Sequence, residues 1–166
     1  MQKQIHMKSC GKKLCEEYMG KHPVISISLK GINAASYEAA FELTVKTIKG
    51  AVQKAGFLKM SDKLDEDEKK EYRAILDENM SEATLFWSLK NLSELLEKHY
   101  ETKVILLIDE YDVPLAKAFE NGYYDKMVFL IRNLLEQTLK TNNSLKFAVM
   151  TGCMRISKES IFTGRS

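Results

Sequence analysis

One short stretch constrains the fold of this chain more than any other: an unbroken apolar run, Val104 to Ile108, that ends abruptly in charged residues. Such a run is typical of a strand whose two faces are both covered, as in the centre of a parallel α/β sheet. Three carboxylates follow within four residues, at Asp109, Glu110 and Asp112. Because open α/β sheets bind ligands at the carboxyl ends of their strands, this position predicts a ligand site.

The order of these carboxylates suggests two different tasks. Side chains alternate along a strand, so Asp109 and Glu110 leave it in different directions. In nucleotide hydrolases the first carboxylate of such a pair holds Mg²⁺, directly or through water, and the second polarises the attacking water. We therefore expect Asp109 to be the metal residue and Glu110 the catalytic base. The alternative is a solvated acidic turn at the end of a strand, with Pro114 starting the next helix.

Another strand is predicted at residues 23–30, where apolar and small polar residues alternate. Ser26 and Ser28 are possible catalytic hydroxyls, but no His or acidic residue stands at a telling distance from them. We therefore expect both serines to face a neighbouring helix. Before this strand, residues 9–19 predict a short helix.

Further helices are predicted from apolar residues at helical spacing. One begins after Ser36 and another after Ser81 or Thr84, and the second carries a leucine stripe that we expect in the core. The charged stretch 61–71 lacks the glycine and the ligand spacing of a calcium loop. We interpret this stretch as the solvated start of a helix.

The third predicted strand, residues 145–150, follows a long helical pattern over residues 123–140. A strand, a helix and a further strand make a right-handed crossover, so this strand and the one at 104–108 should be parallel neighbours. Its carboxyl end leads into Thr151, which we therefore expect close to the carboxylates.

Composition narrows the class of protein. The chain has 166 residues, of which 45% are hydrophobic and 29% charged, as expected for one globular domain. The net charge of +2 gives no electrostatic case for nucleic-acid binding, and no apolar run is long enough to span a bilayer. Cys10, Cys15 and Cys153 form no Cys-x-x-Cys pair. We interpret them as packing residues of a reduced, cytoplasmic protein.

Two motifs together resemble one family. Leu107 to Leu115 reads Leu-Ile-Asp-Glu-Tyr-Asp-Val-Pro-Leu, and Thr151 to Phe162 reads Thr-Gly-Cys-Met-Arg-Ile-Ser-Lys-Glu-Ser-Ile-Phe. With the strand entry His-Pro-Val-Ile at residues 22–25, they are similar to the bacterial AAA-ATPase-like family of P-loop ATPases. The resemblance covers nearly the whole chain. It implies a three-layer α/β/α fold with a parallel sheet of the P-loop NTPase type.

The resemblance also implies roles for individual residues. Asp109 would be the Walker B residue that binds Mg²⁺, with Asp112 also on the nucleotide side, and Glu110 would be the catalytic base. Thr151 resembles the sensor residue that holds the attacking water or the γ-phosphate of ATP. Arg155 resembles an arginine that follows the sensor and approaches the phosphates; the alternative is a surface arginine or an ion pair at a helix start.

One departure from the family changes the functional expectation. Members begin with a strand and a phosphate-binding loop ending in Gly-Lys-Ser or Gly-Lys-Thr, and neither tripeptide occurs in this chain. We therefore interpret residues 1–166 as a partial domain with the Walker B and sensor portion, without the first strand and its loop. The parent protein would be an ATPase, whereas this chain alone would bind ATP and Mg²⁺ weakly with little or no turnover. The strand at 145–150 would be an exposed edge, open to self-association or to a partner chain.

Two other classes of function stay open. A non-catalytic interaction module would bind a partner chain through the acidic turn and the exposed edge, and it would bind neither Mg²⁺ nor ATP. A metal-dependent nuclease would use Asp109, Glu110 and Asp112. The nuclease is disfavoured because no Glu-x-Lys strand follows at a suitable spacing and no basic groove is evident.

Overall fold

The computed structural model describes residues 16–152, which fold around a three-stranded parallel sheet. The strands are β1 (Val24–Ser28), β2 (Val104–Asp109) and β3 (Leu145–Met150), in the spatial order β1, β2, β3. β2 lies in the centre and is parallel to both neighbours. The predictions of an α/β fold, of a central β2 and of β3 as its parallel neighbour are confirmed.

Five α-helices of eight residues or more lie among residues 16–152. They are α1 (Tyr37–Gln53), α2 (Glu66–Leu76), α3 (Glu82–Tyr100), α4 (Val113–Glu120) and α5 (Tyr124–Lys140), and a short 3₁₀-helix, Gly56–Met60, follows α1. Their starts follow from local chemistry, since Ser36 accepts a hydrogen bond from the Ala39 amide and Ser81 accepts one from the Thr84 amide. The leucine stripe of α3 is buried, as predicted.

The charged stretch 61–71 leads into α2, as predicted. Asp65 and Glu68 form a capping box, in which each side chain accepts a hydrogen bond from the backbone amide of the other. The apolar side of α2 is anchored by Tyr72, whose buried hydroxyl donates to the Val52 carbonyl at 2.9 Å. Charged side chains therefore cap the start of this helix, and Tyr72 connects the helix to α1.

The order of the strands decides where the helices lie. Parallel neighbours are joined almost always by right-handed crossovers. α1 to α3 connect β1 to β2, and α4 and α5 connect β2 to β3. Because the chain steps in the same direction across the sheet both times, this handedness puts all five helices on one face.

Burial along the strands agrees with this one-sided arrangement. Ile25, Ile27, Leu106 and Ile108 lie on the helical face and are at most 4% exposed. On the opposite face Leu107 is 37% exposed. On that same face Ile105 is 7% exposed. The described residues therefore cover the second face of β2 only in part, and the covering of both faces stays a prediction.

The two serines of β1 lie on this second face as well. Ser26 and Ser28 are exposed, and the strand register pairs them with Leu107 and Asp109. The prediction that they face a helix is wrong. The isoleucines of β1 take the helical side, and alternation along the strand leaves the serines on the other.

Some predictions fall outside the described residues. Of the helix predicted at residues 9–19, the structure describes the last part, where residues 16–18 are helical, and Arg155 lies wholly outside. The described strands and helices form two layers, and the third layer stays a prediction. Along residues 16–152, no helix combines the length and the apolar character that crossing a membrane would need.

Truncating two adjacent residues of β2 tests the one-sided packing. Leu106→Ala should lower the free energy of unfolding by about 2–5 kcal/mol, because Leu106 is fully buried and its truncation leaves a cavity. Leu107→Ala is the matched control and should cost less than about 1 kcal/mol, because Leu107 is partly in water already. Urea denaturation followed by circular dichroism measures both losses. Equal losses would mean that the second face is packed.

Candidate functional site

The carboxyl edge of the sheet brings together polar residues from all three strands. Ser28 ends β1, Asp109 ends β2, and Thr151 follows β3 directly. Ser28 and Asp109 are register partners, and the Thr151 amide donates to the Ile108 carbonyl at 2.9 Å. Parallel pairing therefore sets these three residues side by side at one edge of the sheet.

Asp109 and Thr151 are in direct contact. The Thr151 hydroxyl donates a hydrogen bond to Oδ1 of Asp109, and both residues are exposed. Backbone bonds hold the pair on both sides: the Leu29 amide donates to the Asp109 carbonyl at 2.9 Å, and the Tyr111 amide donates to the Thr151 carbonyl at 3.3 Å. The expected proximity of Thr151 to the carboxylates is thus observed, on backbone that the sheet fixes.

Glu110 leaves the strand through a strained turn. Its φ of 54° is in the left-handed region, which residues other than glycine seldom adopt. The Glu110 carbonyl accepts a hydrogen bond from the Val113 amide at 3.2 Å, which leads the chain into α4. Strained conformations of this kind persist where the surrounding structure enforces them, and they concentrate at functional sites. The turn gives Glu110 a defined backbone position next to the Asp109–Thr151 pair.

Lys30 is a residue of this edge that the sequence analysis missed. Its ammonium lies 3.7 Å from Oε1 of Glu110, and the Lys30 side chain is 77% exposed against 25% for Glu110. An ion pair this exposed contributes little to stability, but it brings a positive charge to an acidic edge. No sequence signal relates the two residues, because the pairing of β1 with β2 decides their distance.

Asp112 lies beneath this edge. It is 2% exposed and precedes α4 without making a side-chain capping bond. Gly152 passes directly over it, since a Cβ on Gly152 would lie 2.7 Å from Oδ1 of Asp112 and 3.0 Å from the Tyr111 ring. The close approach explains why glycine follows Thr151. The predicted nucleotide role of Asp112 stays a prediction, and the packing role of Gly152 had no signal in the sequence.

The donor set at the edge fits a hard cation. Mg²⁺ takes oxygen ligands, often one or two carboxylates, and keeps several waters. Asp109 offers a carboxylate, and Thr151 and Ser28 offer hydroxyls at exposed positions. Among residues 16–152, no three or more His, Cys, Asp or Glu side chains gather in a way that could hold a metal ion. Asp109, Thr151 and Ser28 are thus the side chains at this edge with oxygen atoms of the kind that Mg²⁺ takes as ligands.

Two glycine substitutions of opposite expected sign test the packing over Asp112. Gly152→Ala should lower the free energy of unfolding by about 1–3 kcal/mol, because its Cβ collides with Asp112 and Tyr111. Gly50→Ala, within α1, meets nothing within 4 Å and should raise stability by about 0.5–1 kcal/mol. Urea denaturation gives both values. A neutral Gly152→Ala would contradict the close approach.

Comparison with known proteins agrees with the two motifs. The family model AAA-ATPase-like, described as a predicted AAA-ATPase, matches residues 4–162. No curated protein and no solved structure is significantly similar to the chain. Because the family match spans nearly the whole sequence, the chain belongs to the AAA-ATPase-like family.

Proposed function

We propose that this chain forms the metal-binding and water-activating part of an ATP-binding and ATP-hydrolysing domain. The observation that carries the proposal is the Asp109–Thr151 pair at the carboxyl edge of a parallel sheet, with Glu110 next in the chain. Open α/β sheets bind their ligands at this edge. Membership of a family described as predicted AAA-ATPases supports ATP as the nucleotide.

Each residue has its own task in this proposal. Asp109 holds Mg²⁺, directly or through water, and the hydrogen bond from Thr151 orients its carboxylate. Bound Mg²⁺ supplies positive charge that neutralises the phosphate oxygens. Glu110 accepts a proton from the attacking water, and Thr151 orients that water or the γ-phosphate. Arg155 approaches the phosphates, and Asp112 contributes to the nucleotide side from beneath the turn.

The expected affinity for ATP depends on the residues that would bind its phosphates. The chain contains neither Gly-Lys-Ser nor Gly-Lys-Thr, the tripeptides that end the loop which cradles phosphates in P-loop proteins. We therefore propose weak binding of ATP with Mg²⁺ and little turnover by this chain. A complete three-layer domain of the P-loop type would add its first strand beside β3. The position of β3 at the edge of the described sheet supports this arrangement.

A second candidate function rests on that same edge. β3 has a hydrogen-bonding partner on its β2 side, and within residues 16–152 no strand pairs with its other side. Phe147 and Val149 of β3 are also partly exposed. Exposed edge strands are templates for pairing with another chain. A non-catalytic interaction module, or self-association, would use this edge and would need neither Mg²⁺ nor ATP.

Titration calorimetry with ATP tests the role of Asp109. The unmodified chain should bind ATP more tightly with Mg²⁺ than with a chelator, and Asp109→Asn should weaken binding in Mg²⁺ by about tenfold or more because the amide carries no charge. Asp62→Asn, at an exposed acid outside the site, is the matched control and should bind like the unmodified chain. If the unmodified chain shows no Mg²⁺-dependent binding, the proposal fails and the interaction module takes its place.

An ATP hydrolysis assay distinguishes the proposed role of Glu110 from that of Asp109. The assay uses a form extended upstream to include a strand and a Gly-Lys-Ser or Gly-Lys-Thr loop. Glu110→Gln should lower its turnover by about 10²–10⁴-fold, because the amide cannot accept a proton. The affinity for ATP with Mg²⁺ should change by less than about twofold, because the side chain keeps its size. Glu120→Gln, at an exposed acid that ends α4, should leave both unchanged. Unchanged turnover in Glu110→Gln would exclude Glu110 as the base.

A further inference from the structure

The outer edge of β1 is open within the described residues. β1 pairs with β2 on one side, and no strand among residues 16–152 pairs with its other side. The Pro23 carbonyl and the Leu29 amide both bond to β2, at 2.9 Å each, so the odd-numbered positions of this strand face β2. Because backbone groups alternate in direction along a strand, the amides and carbonyls of Val24, Ser26 and Ser28 point outward. Free edges of this kind are templates for an added strand.

A groove lies beside the amino half of this open edge. Residues 23–26 form one wall, and the other walls come from the end of α1, the 3₁₀-helix after it and the second half of α3. The apolar and aromatic side chains that line it outside β1 are those of Ala51, Ala55, Phe57, Leu92, Leu96 and Tyr100. Its volume is about 140 Å³. An apolar cavity of about 150 Å³ takes up a benzene molecule, so the groove has room for one apolar side chain.

The groove has a buried floor and an aromatic rim. Leu96 at the floor is 5% exposed, whereas Phe57 and Tyr100 at the rim are 41% and 49% exposed. The two rings contact each other edge-on, with their centroids 5.7 Å apart. His99 lies against both rings, and its Nδ1 is 2.8 Å from the Ser61 hydroxyl. The rim is therefore built from aromatic side chains that their neighbours hold in position, the kind of residue that is enriched at protein interfaces.

One positive charge stands at the groove. Among the described residues that line it, Lys54 alone is charged, and its side chain is exposed. A ligand that places an apolar group in the groove can therefore place a carboxylate beside this ammonium. Complementary charge of this kind contributes mainly to specificity and to the rate of association.

Charge argues against a second copy of the chain as the occupant. The two strands with an open edge are β1 and β3, and neither residues 21–30 nor residues 145–150 contain an Asp or a Glu. Both stretches contain lysine. Pairing of either edge with β1 would therefore bring further positive charge toward Lys54 and would supply no carboxylate. A partner whose extended segment carries an acidic residue satisfies both the open edge and the charge.

We propose that the outer edge of β1 and this groove bind an extended segment of a partner protein. One apolar side chain of the segment fills the groove, and an acidic side chain two residues away pairs with Lys54. The backbone of the segment bonds to the outward groups of Val24 and Ser26 as an added strand. Main-chain bonds give such a complex its affinity, and the groove gives it specificity. The groove lies away from Asp109 at the carboxyl edge, so this inference does not depend on ATP binding.

A peptide selection on the full chain tests the proposal. Random peptides of about seven residues, enough to span one strand, are displayed on phage and selected on the immobilised protein. The enriched peptides should share an apolar residue with an Asp or Glu two positions away, because side chains two apart on a strand point to the same face. A set without a shared pattern, or a pattern without the acidic residue, would overturn the proposal.

Calorimetry with the most enriched peptide, made synthetically, tests the open edge. Ser26→Pro should abolish binding, because proline removes the outward amide, and an edge strand tolerates proline where the amide faces solvent. Ser26→Ala keeps the amide and should bind within about twofold of the unmodified chain. Undiminished binding by Ser26→Pro would overturn the added strand.

A charge swap tests Lys54 and does not depend on the folding of the proline variant. Lys54→Glu should weaken binding by about tenfold or more, and a peptide with Lys in place of its acidic residue should regain the affinity. Lys46→Glu, at an exposed lysine of α1 outside the groove, is the matched control and should bind like the unmodified chain. Failure of the swapped peptide to bind Lys54→Glu would overturn the pairing.

Light scattering identifies the other possible occupant. The unmodified chain should be no larger than Ser26→Pro, because the proposal leaves this edge free of a second copy. A dimer that Ser26→Pro converts to a monomer would mean that a second copy occupies the edge, and the proposal would fail.

Discussion

The parallel hydrogen bonding of β2 to both β1 and β3 is the interaction on which the rest of this structure depends. It aligns the carboxyl ends of three strands that are far apart in the sequence. Ser28, Asp109 and Thr151 meet because their strands end at the same level, and Lys30 reaches Glu110 for the same reason. A different register would separate these polar groups, although the local sequence pattern of each strand and helix would be unchanged.

Hydrogen bonds to the sheet fix the positions of the two residues at the centre of the proposed cation site. Asp109 belongs to the strand ladder through its own carbonyl, and Thr151 orients its carboxylate. The strained backbone of Glu110 and the close passage of Gly152 over Asp112 fix the turn that follows. Groups that are already in place need little rearrangement when charge develops beside them. This preorganisation is what the proposed hydrolytic role would require.

The handedness of the crossovers gives the sheet two different faces. The helical face forms the main core, and the opposite face carries apolar side chains such as Leu107 and Val149 that are partly exposed. Asp109 and Leu107 are two residues apart on β2, so their side chains lie on the same side of the sheet, opposite the helices.

The sequence by itself determined the strands, most of the helices and the central place of β2, because apolar periodicity and capping residues act locally. It also determined the acidic edge and the family, through two motifs that keep their spacing. Tertiary structure decided what local patterns do not encode: that Ser28 stands beside Asp109, that Lys30 faces Glu110, and that Leu107 lies on the sheet face opposite the five helices. The physical reason is that strand register and crossover handedness relate residues that are far apart in the chain. The sequence around each of these residues does not say which distant strand will pair with it.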